Sequence, residues 1–86
     1  MKDIRWNQLK NERLKRIRGV SFDEILSAEI VAVKKHHKRL GQNVMIFKFK
    51  GYLWIVPYVE EKDYIFLKTL YPSRKFTKLY RKGALK

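Results

Sequence analysis

The chain has 86 residues, no cysteine, and 21 Lys+Arg against 8 Asp+Glu, a net charge of +13. That length accommodates a single domain spanning 1–86. The lack of thiols excludes disulfides, thiolate catalysis and sulfur-ligated metals, and a hydrophobic content of 45% excludes a globally disordered chain.

A positive surplus of this size repels itself and is relieved by a polyanion: nucleic acid, an anionic membrane surface or an acidic protein. The N-terminus lacks the apolar core of a secretory signal, and the longest apolar stretch, 53–59, is too short to cross a bilayer. A cytoplasmic protein without membrane association is therefore expected.

Ile4 and Trp6 flank Arg5 in alternation, which suits a short first strand. Asn7 offers an N-cap. From Gln8 to Arg18 there is no Gly or Pro, so a first helix is predicted, with Leu9, Leu14 and Ile17 as its apolar stripe and Gly19 as its terminator. Ser21 and Glu24 then form a capping box, with Val20 and Ile25 placed as a hydrophobic staple. Phe22, Ile25 and Leu26 are the buried face of a second helix that ends near Glu29.

Residues 30–33 are β-branched enough to begin a strand or to finish the helix. Residues 34–41 read as a basic loop or hairpin edge. Three strands are predicted after it, at 44–49, 52–59 and 64–71, joined by polar turns as an antiparallel meander. Pro57 fits a central strand poorly and calls for a bulge or an unpaired N–H side. Ser73 can cap a last helix in which Phe76, Leu79 and Tyr80 pack on the sheet. The reading is an α+β fold of order β-α-α-β-β-β-α, with helices on a mainly antiparallel sheet.

The charge is uneven. Residues 30–59 contain no acid but carry Lys34, Lys35, Lys38, Arg39, Lys48 and Lys50. From Tyr64 to the end there is again no acid, with Lys68, Arg74, Lys75, Lys78, Arg81, Lys82 and Lys86. Phe47, Tyr52, Trp54, Tyr58, Tyr71 and Tyr80 interleave with these cations. Lys and Arg supply sequence-independent phosphate affinity, and aromatic faces stack on unpaired bases. RNA is thus favoured over DNA. Phe47 and Trp54 are expected in the core, whereas Tyr52, Tyr71 and Tyr80 suit either the core or a binding surface.

No Walker loop, dinucleotide fingerprint or nucleophile elbow is present, and neither cofactor nor metal is expected. His36 and His37 are adjacent and have no nearby carboxylate. They are solvated loop residues, or one of them contacts phosphate or titrates as an acid or base. RNA cleavage needs neither metal nor thiol, because the 2′-OH is an internal nucleophile. The candidate catalytic residues are Lys68, Arg74, Lys75, Tyr80 and His36. Arg74 would clamp the scissile phosphate. Lys68 or a histidine would shuttle a proton, and Tyr80 would hydrogen-bond or stack. Lys34, Lys35, His37, Lys38, Arg39, Lys48, Tyr71, Lys78 and Arg81 are the candidate RNA-binding residues. Each alone is equally well a solvated surface charge; the cluster carries the reading.

Two segments resemble the BrnT family of bacterial toxins, in the RelE/ParE superfamily. IRWNQLKNERLKRIRGVSFDEIL (Ile4 to Leu26) is similar to that family's opening strand, Lys-Asn helix and Gly-Val-Ser-Phe capping run. YIFLKTLYPSRKFTKLYRK (Tyr64 to Lys82) is similar to its last strand and basic helix ending in Tyr. The family usually ends that strand in a Ser-Ala-Arg-like run, where this chain has Lys68-Thr69-Leu70-Tyr71-Pro72-Ser73-Arg74. The resemblance implies a RelE-like ribonuclease fold and mRNA cleavage that halts translation. It also implies a cognate antitoxin, often of ribbon-helix-helix type, through whose complex operator DNA is bound. A toxin–antitoxin hetero-oligomer is then the expected assembly; a homodimer is open on the separate ground that a protomer this small buries little core. The alternatives are a non-catalytic RNA- or DNA-binding module and a ParE-like toxin that poisons gyrase.

Overall fold

The computed structural model describes residues 2–35 and 42–83. Its elements are β1 (Asp3–Trp6), α1 (Gln8–Arg18), α2 (Phe22–Leu26), β2 (Glu29–Lys35), β3 (Gln42–Phe49), β4 (Tyr52–Glu60), β5 (Tyr64–Leu67), β6 (Tyr71–Ser73) and α3 (Arg74–Arg81). The strands form one mixed sheet in the order β1-β5-β4-β3-β2, and β6 pairs with β4. Among the described residues β1 and β5 run parallel and the other pairs are antiparallel. This is the α+β architecture expected from the sequence, with helices on both faces of the sheet.

Local chemistry starts the helices and stops α1 as expected, whereas α2 ends at Leu26, short of the expected Glu29, which already opens β2. The Asn7 side chain accepts the Lys10 N–H at 3.0 Å. The Ser21 hydroxyl accepts the Glu24 N–H, and the Glu24 carboxylate accepts the Ser21 N–H, completing the capping box. Gly19 ends α1 at φ 76°, a left-handed conformation that glycine adopts without steric cost.

The apolar stripe of α1 differs from expectation. Leu14 is buried, but Leu9 and Ile17 are 75% and 66% exposed. The inward face instead carries Asn11, three residues before Leu14, whose amide oxygen accepts the Phe22 N–H at 2.7 Å and whose amide nitrogen donates to Asp23 at 3.1 Å. A buried amide paired through both its oxygen and its nitrogen ties α1 to α2.

Alternation along the strands divides the apolar residues between two cores. Met45, Phe47, Trp54, Val56, Tyr58 and Leu67 face α1 and α2, packing with Phe22, Ile25, Leu14 and Val20. Ile46, Leu53 and Ile55 face the other way, toward Phe76 and Tyr80 of α3. Phe47 and Trp54 are core residues, as expected, and the Trp54 indole donates to the Phe49 carbonyl at 3.1 Å.

The expected strand at 64–71 is two strands. β5 pairs with residues 58–60 of β4 and β6 with residues 53–55. Between them the chain leaves the ladder to bury Leu70 completely in the larger core. Pro57 lies at this break. Its carbonyl accepts the Lys68 N–H at 2.9 Å, so the nitrogen that cannot donate points to the same side, into the gap between β5 and β6. Residues 30–33, open to either assignment from sequence, lie in strand β2. The β3–β4 hairpin turns through Lys50 and Gly51, both at positive φ (52° and 79°), the pattern of a two-residue type I′ turn.

Candidate nucleic-acid interface

Helix α3 is amphipathic in an instructive way. Phe76, Thr77 and Tyr80 turn toward the sheet, while Arg74, Lys78 and Arg81 follow one another at i, i+4 and i+7 on the outer side, with Lys75 beside them. The first turn of α2 carries Asp23 and Glu24, the usual complement to the positive end of a helix dipole. The first turn of α3 has no acid and begins with Arg74 and Lys75. Two cations there oppose the dipole, at a cost of about 0.3–1 kcal/mol each. A bound anion removes that cost.

These side chains line two adjoining depressions. One, of about 430 Å³, is bounded by Tyr52, Arg74, Lys75, Thr77, Lys78 and Arg81. The other, of about 480 Å³, is bounded by Lys48, Gly51, Tyr52, Leu53, Thr77, Tyr80 and Arg81. Five cations surround the joint cleft, and no carboxylate of the described residues lines it. Among the described residues none of the five has an ion-pair partner. Arg81 donates to the Gly51 carbonyl at 3.0 Å, which ties the end of α3 to the hairpin turn. Lys48 places its ammonium 5.4 Å from the Tyr80 ring centroid, and Lys34 its own 5.8 Å from that of Phe76. Ser73 caps the helix by accepting the Phe76 N–H.

The structure thus brings together Arg74, Lys75, Lys78, Tyr80, Arg81 and Lys48, with Lys34 alongside on β2. Tyr71 is 38% exposed on β6, immediately before the helix. Lys68 is not with them. It lines a separate depression with Asn7, Leu9, Lys10, Arg13 and Phe66, because the chain detours through buried Leu70 between Lys68 and Arg74. Lys35 ends β2. His36, His37, Lys38 and Arg39 lie outside the described residues.

Gly51, Tyr52, Leu53 and Thr77 line the cleft without being among the site residues named from sequence. The sequence leaves Tyr52 open between the core and a binding surface. In the structure it is 45% exposed and borders both depressions. Strand alternation from Leu53 would turn Tyr52 to the other side of the sheet, so the sequence pattern does not point it to this cleft; it reaches the cleft as the first residue of β4, directly after the Lys50-Gly51 turn. Nothing in the sequence marks Thr77, which is buried at the floor. Among the described residues no three His, Asp or Glu side chains converge as metal ligands, and no helix is long and apolar enough to cross a membrane.

The sequence matches no protein-family model and no curated protein. The structure is similar to the crystal structure of the Brucella abortus ribonuclease toxin BrnT. The TM-score is 0.55 at 15% identity, and the likeness covers 85% of this chain and 97% of that one. At this identity the likeness establishes the fold. The chain has the BrnT-like α+β fold that the resemblance of its two segments implied.

Proposed function

We propose that this chain is an RNA-cleaving toxin that acts by positioning an RNA strand across the α3 cleft. One observation carries the reading: a cleft free of carboxylates among the described residues, ringed by Lys48, Arg74, Lys75, Lys78 and Arg81 around an exposed Tyr52, on the fold of a ribonuclease toxin. The cations bind phosphate oxygens, Tyr52 stacks on an unpaired base, and Arg74 clamps the scissile phosphate.

The chemistry uses the 2′-oxygen of RNA as nucleophile. That oxygen attacks phosphorus and gives its proton to a base. The P–O5′ bond breaks, and a second proton reaches the departing 5′-oxygen. The products are a 2′,3′-cyclic phosphate and a 5′-hydroxyl. Arg74 and its neighbours stabilise the negative charge that builds on the phosphorane. Lys75 and Tyr80, at the wall of the cleft, stand where one of them can donate the proton that reaches the departing 5′-oxygen, while water takes the proton that the 2′-OH loses.

The partners follow from this reading: an RNA substrate, mRNA in the cell, and an antitoxin that covers the basic cleft. A ribbon-helix-helix antitoxin would carry the complex to operator DNA. The test is incubation of purified protein with single-stranded RNA in EDTA. Cleavage with 2′,3′-cyclic phosphate ends is the expected result. Intact RNA at high protein concentration, with tight binding retained, would show a binding module instead.

A further inference from the structure

Alternation in β5 places Ile65 and Leu67 toward α1 and α2, so Tyr64 and Phe66 lie on the sheet face that also carries α3. Their register partners agree. Phe66 pairs with Val59, which is on the same side of β4 as Leu53 and Ile55, and Arg5 of β1 pairs with Phe66. Helix α3 packs over Ile46, Leu53 and Ile55. On the β5–β1 half of this face Tyr64 and Phe66 remain half-buried and Arg5 is exposed.

At one end of this area lies the depression of about 420 Å³ where Phe66 and Lys68 meet Asn7, Leu9, Lys10 and Arg13 at the start of α1. No carboxylate of the described residues lines it. Among the described residues Lys10, Arg13 and Lys68 have no ion-pair partner. Leu9, 75% exposed, and Phe66 give it an apolar wall. Beside it the Arg5 guanidinium sits 4.4 Å from the Tyr64 ring centroid. None of these residues borders the α3 cleft.

We infer that this surface, built from Lys10, Arg13, Lys68 and Phe66, is a second RNA-binding site that holds the phosphodiester backbone of the strand leaving the α3 cleft. The inference rests on the reading of the chain as an RNA-cleaving protein. The connection between the two sites is visible in the chain. Lys68, Tyr71 and Arg74 are all exposed, with Leu70 buried between them. They present cation, aromatic ring and cation in sequence from one depression to the other. Lys68 and Arg74 are six residues apart, at most about 22 Å of extended chain, a span that a few nucleotides cover. Ring faces at Phe66 and Tyr71 stack on bases of any sequence, while the cations hold phosphates. Two apolar side chains are too little surface for insertion into a bilayer, so the chemistry fits a flexible polyanion that also offers π-faces.

The experiment compares the full chain with Lys10→Gln/Arg13→Gln and with a control pair, Arg18→Gln/Lys62→Gln, that removes the same charge from exposed positions elsewhere. Poly(U) binding is followed by fluorescence anisotropy over a salt series. The first pair should weaken binding roughly tenfold and make the slope of log affinity against log salt shallower by about 1.4, two single-strand phosphate contacts. Adding Lys68→Gln should lower the slope further. KM for RNA cleavage should rise by the same factor in Lys10→Gln/Arg13→Gln with kcat unchanged.

A slope equal to that of the control pair overturns the second site. If Arg74→Ala still abolishes cleavage in that case, the ribonuclease reading survives. If the wild-type chain binds poly(U) through Lys10 and Arg13 but cleaves nothing, the ribonuclease reading falls and the second site remains. Loss of binding to phosphatidylserine vesicles in the first pair, with RNA affinity unchanged, assigns the surface to a membrane and overturns the inference.

Discussion

The hydroxyl of Thr77 accepts the backbone N–H of Leu53 at 2.8 Å and donates to the Ser73 carbonyl at 2.6 Å. One buried side chain thus fastens α3 to the start of β4 and closes the helix's own first turn. The cations of α3 keep their places over the sheet through this contact together with the packing of Phe76 and Tyr80. Thr77→Val removes the hydroxyl while nearly preserving shape, and leaves the buried Leu53 N–H unpaired. That should cost about 1–3 kcal/mol. In a domain of this size each 1 kcal/mol lowers the Tm by roughly 4–8 °C, which thermal denaturation reads directly. Thr77→Ser should remain near wild type. An unchanged Tm in Thr77→Val would show that the N–H finds another partner.

Arg74 is exposed in the first turn of α3, where its charge does nothing for the helix. Arg74→Ala should leave the circular dichroism spectrum and Tm unchanged or slightly improved. It should reduce RNA cleavage by about a hundredfold or more, the usual consequence of removing one group that stabilises charge in the transition state. Growth arrest on expression should disappear with it. A fully active Arg74→Ala protein would move the reacting phosphate elsewhere along the cleft.

Tyr52 contributes a ring face rather than a charge. Tyr52→Ala should weaken single-stranded RNA binding by about 1–3 kcal/mol, while Tyr52→Phe retains affinity. Duplex RNA, whose bases are already stacked, should bind both variants alike. Gel-shift titrations with matched single- and double-stranded oligonucleotides separate these outcomes. Equal losses on both substrates would make Tyr52 a packing residue.

The Lys15 ammonium, 2.7 Å from the Glu24 carboxylate, and the Ser21 N–H hold Glu24 below its ordinary carboxylate range. The unfolded chain therefore takes up the proton at higher pH than the folded one. The stabilisation is complete at neutral pH and is lost as pH falls through the depressed folded value. Urea denaturation of wild type and Glu24→Gln should show a stability gap that is constant from neutral pH down to the ordinary carboxylate range and shrinks below it. A gap independent of pH would assign the effect to geometry instead of charge.

Features that depend on neighbours along the chain are legible in the sequence alone. The capping box at Ser21–Glu24, the caps at Asn7 and Ser73, and the turn at Lys50-Gly51 depend on residues one to four positions apart. The outward row of Arg74, Lys78 and Arg81 is equally local, because helical geometry alone aligns it. Strand spacing makes the α+β class readable, and the basic, acid-free segments mark a chain suited to an anionic partner.

What depends on distant pairing is not legible there. Sequence periodicity counts Leu9 and Ile17 as core candidates, yet the docking of α1 leaves them exposed and buries Asn11. The run 64–71 alternates like one strand, but filling the larger core with Leu70 splits it and carries Lys68 away from Arg74. Composition by itself determined that this protein is a small basic domain suited to polyanions, since charge and residue type need no coordinates. Only tertiary structure decided which cations share a cleft, because the sheet register and the packing of α3 bring Lys48 and Tyr52 beside residues far along the chain.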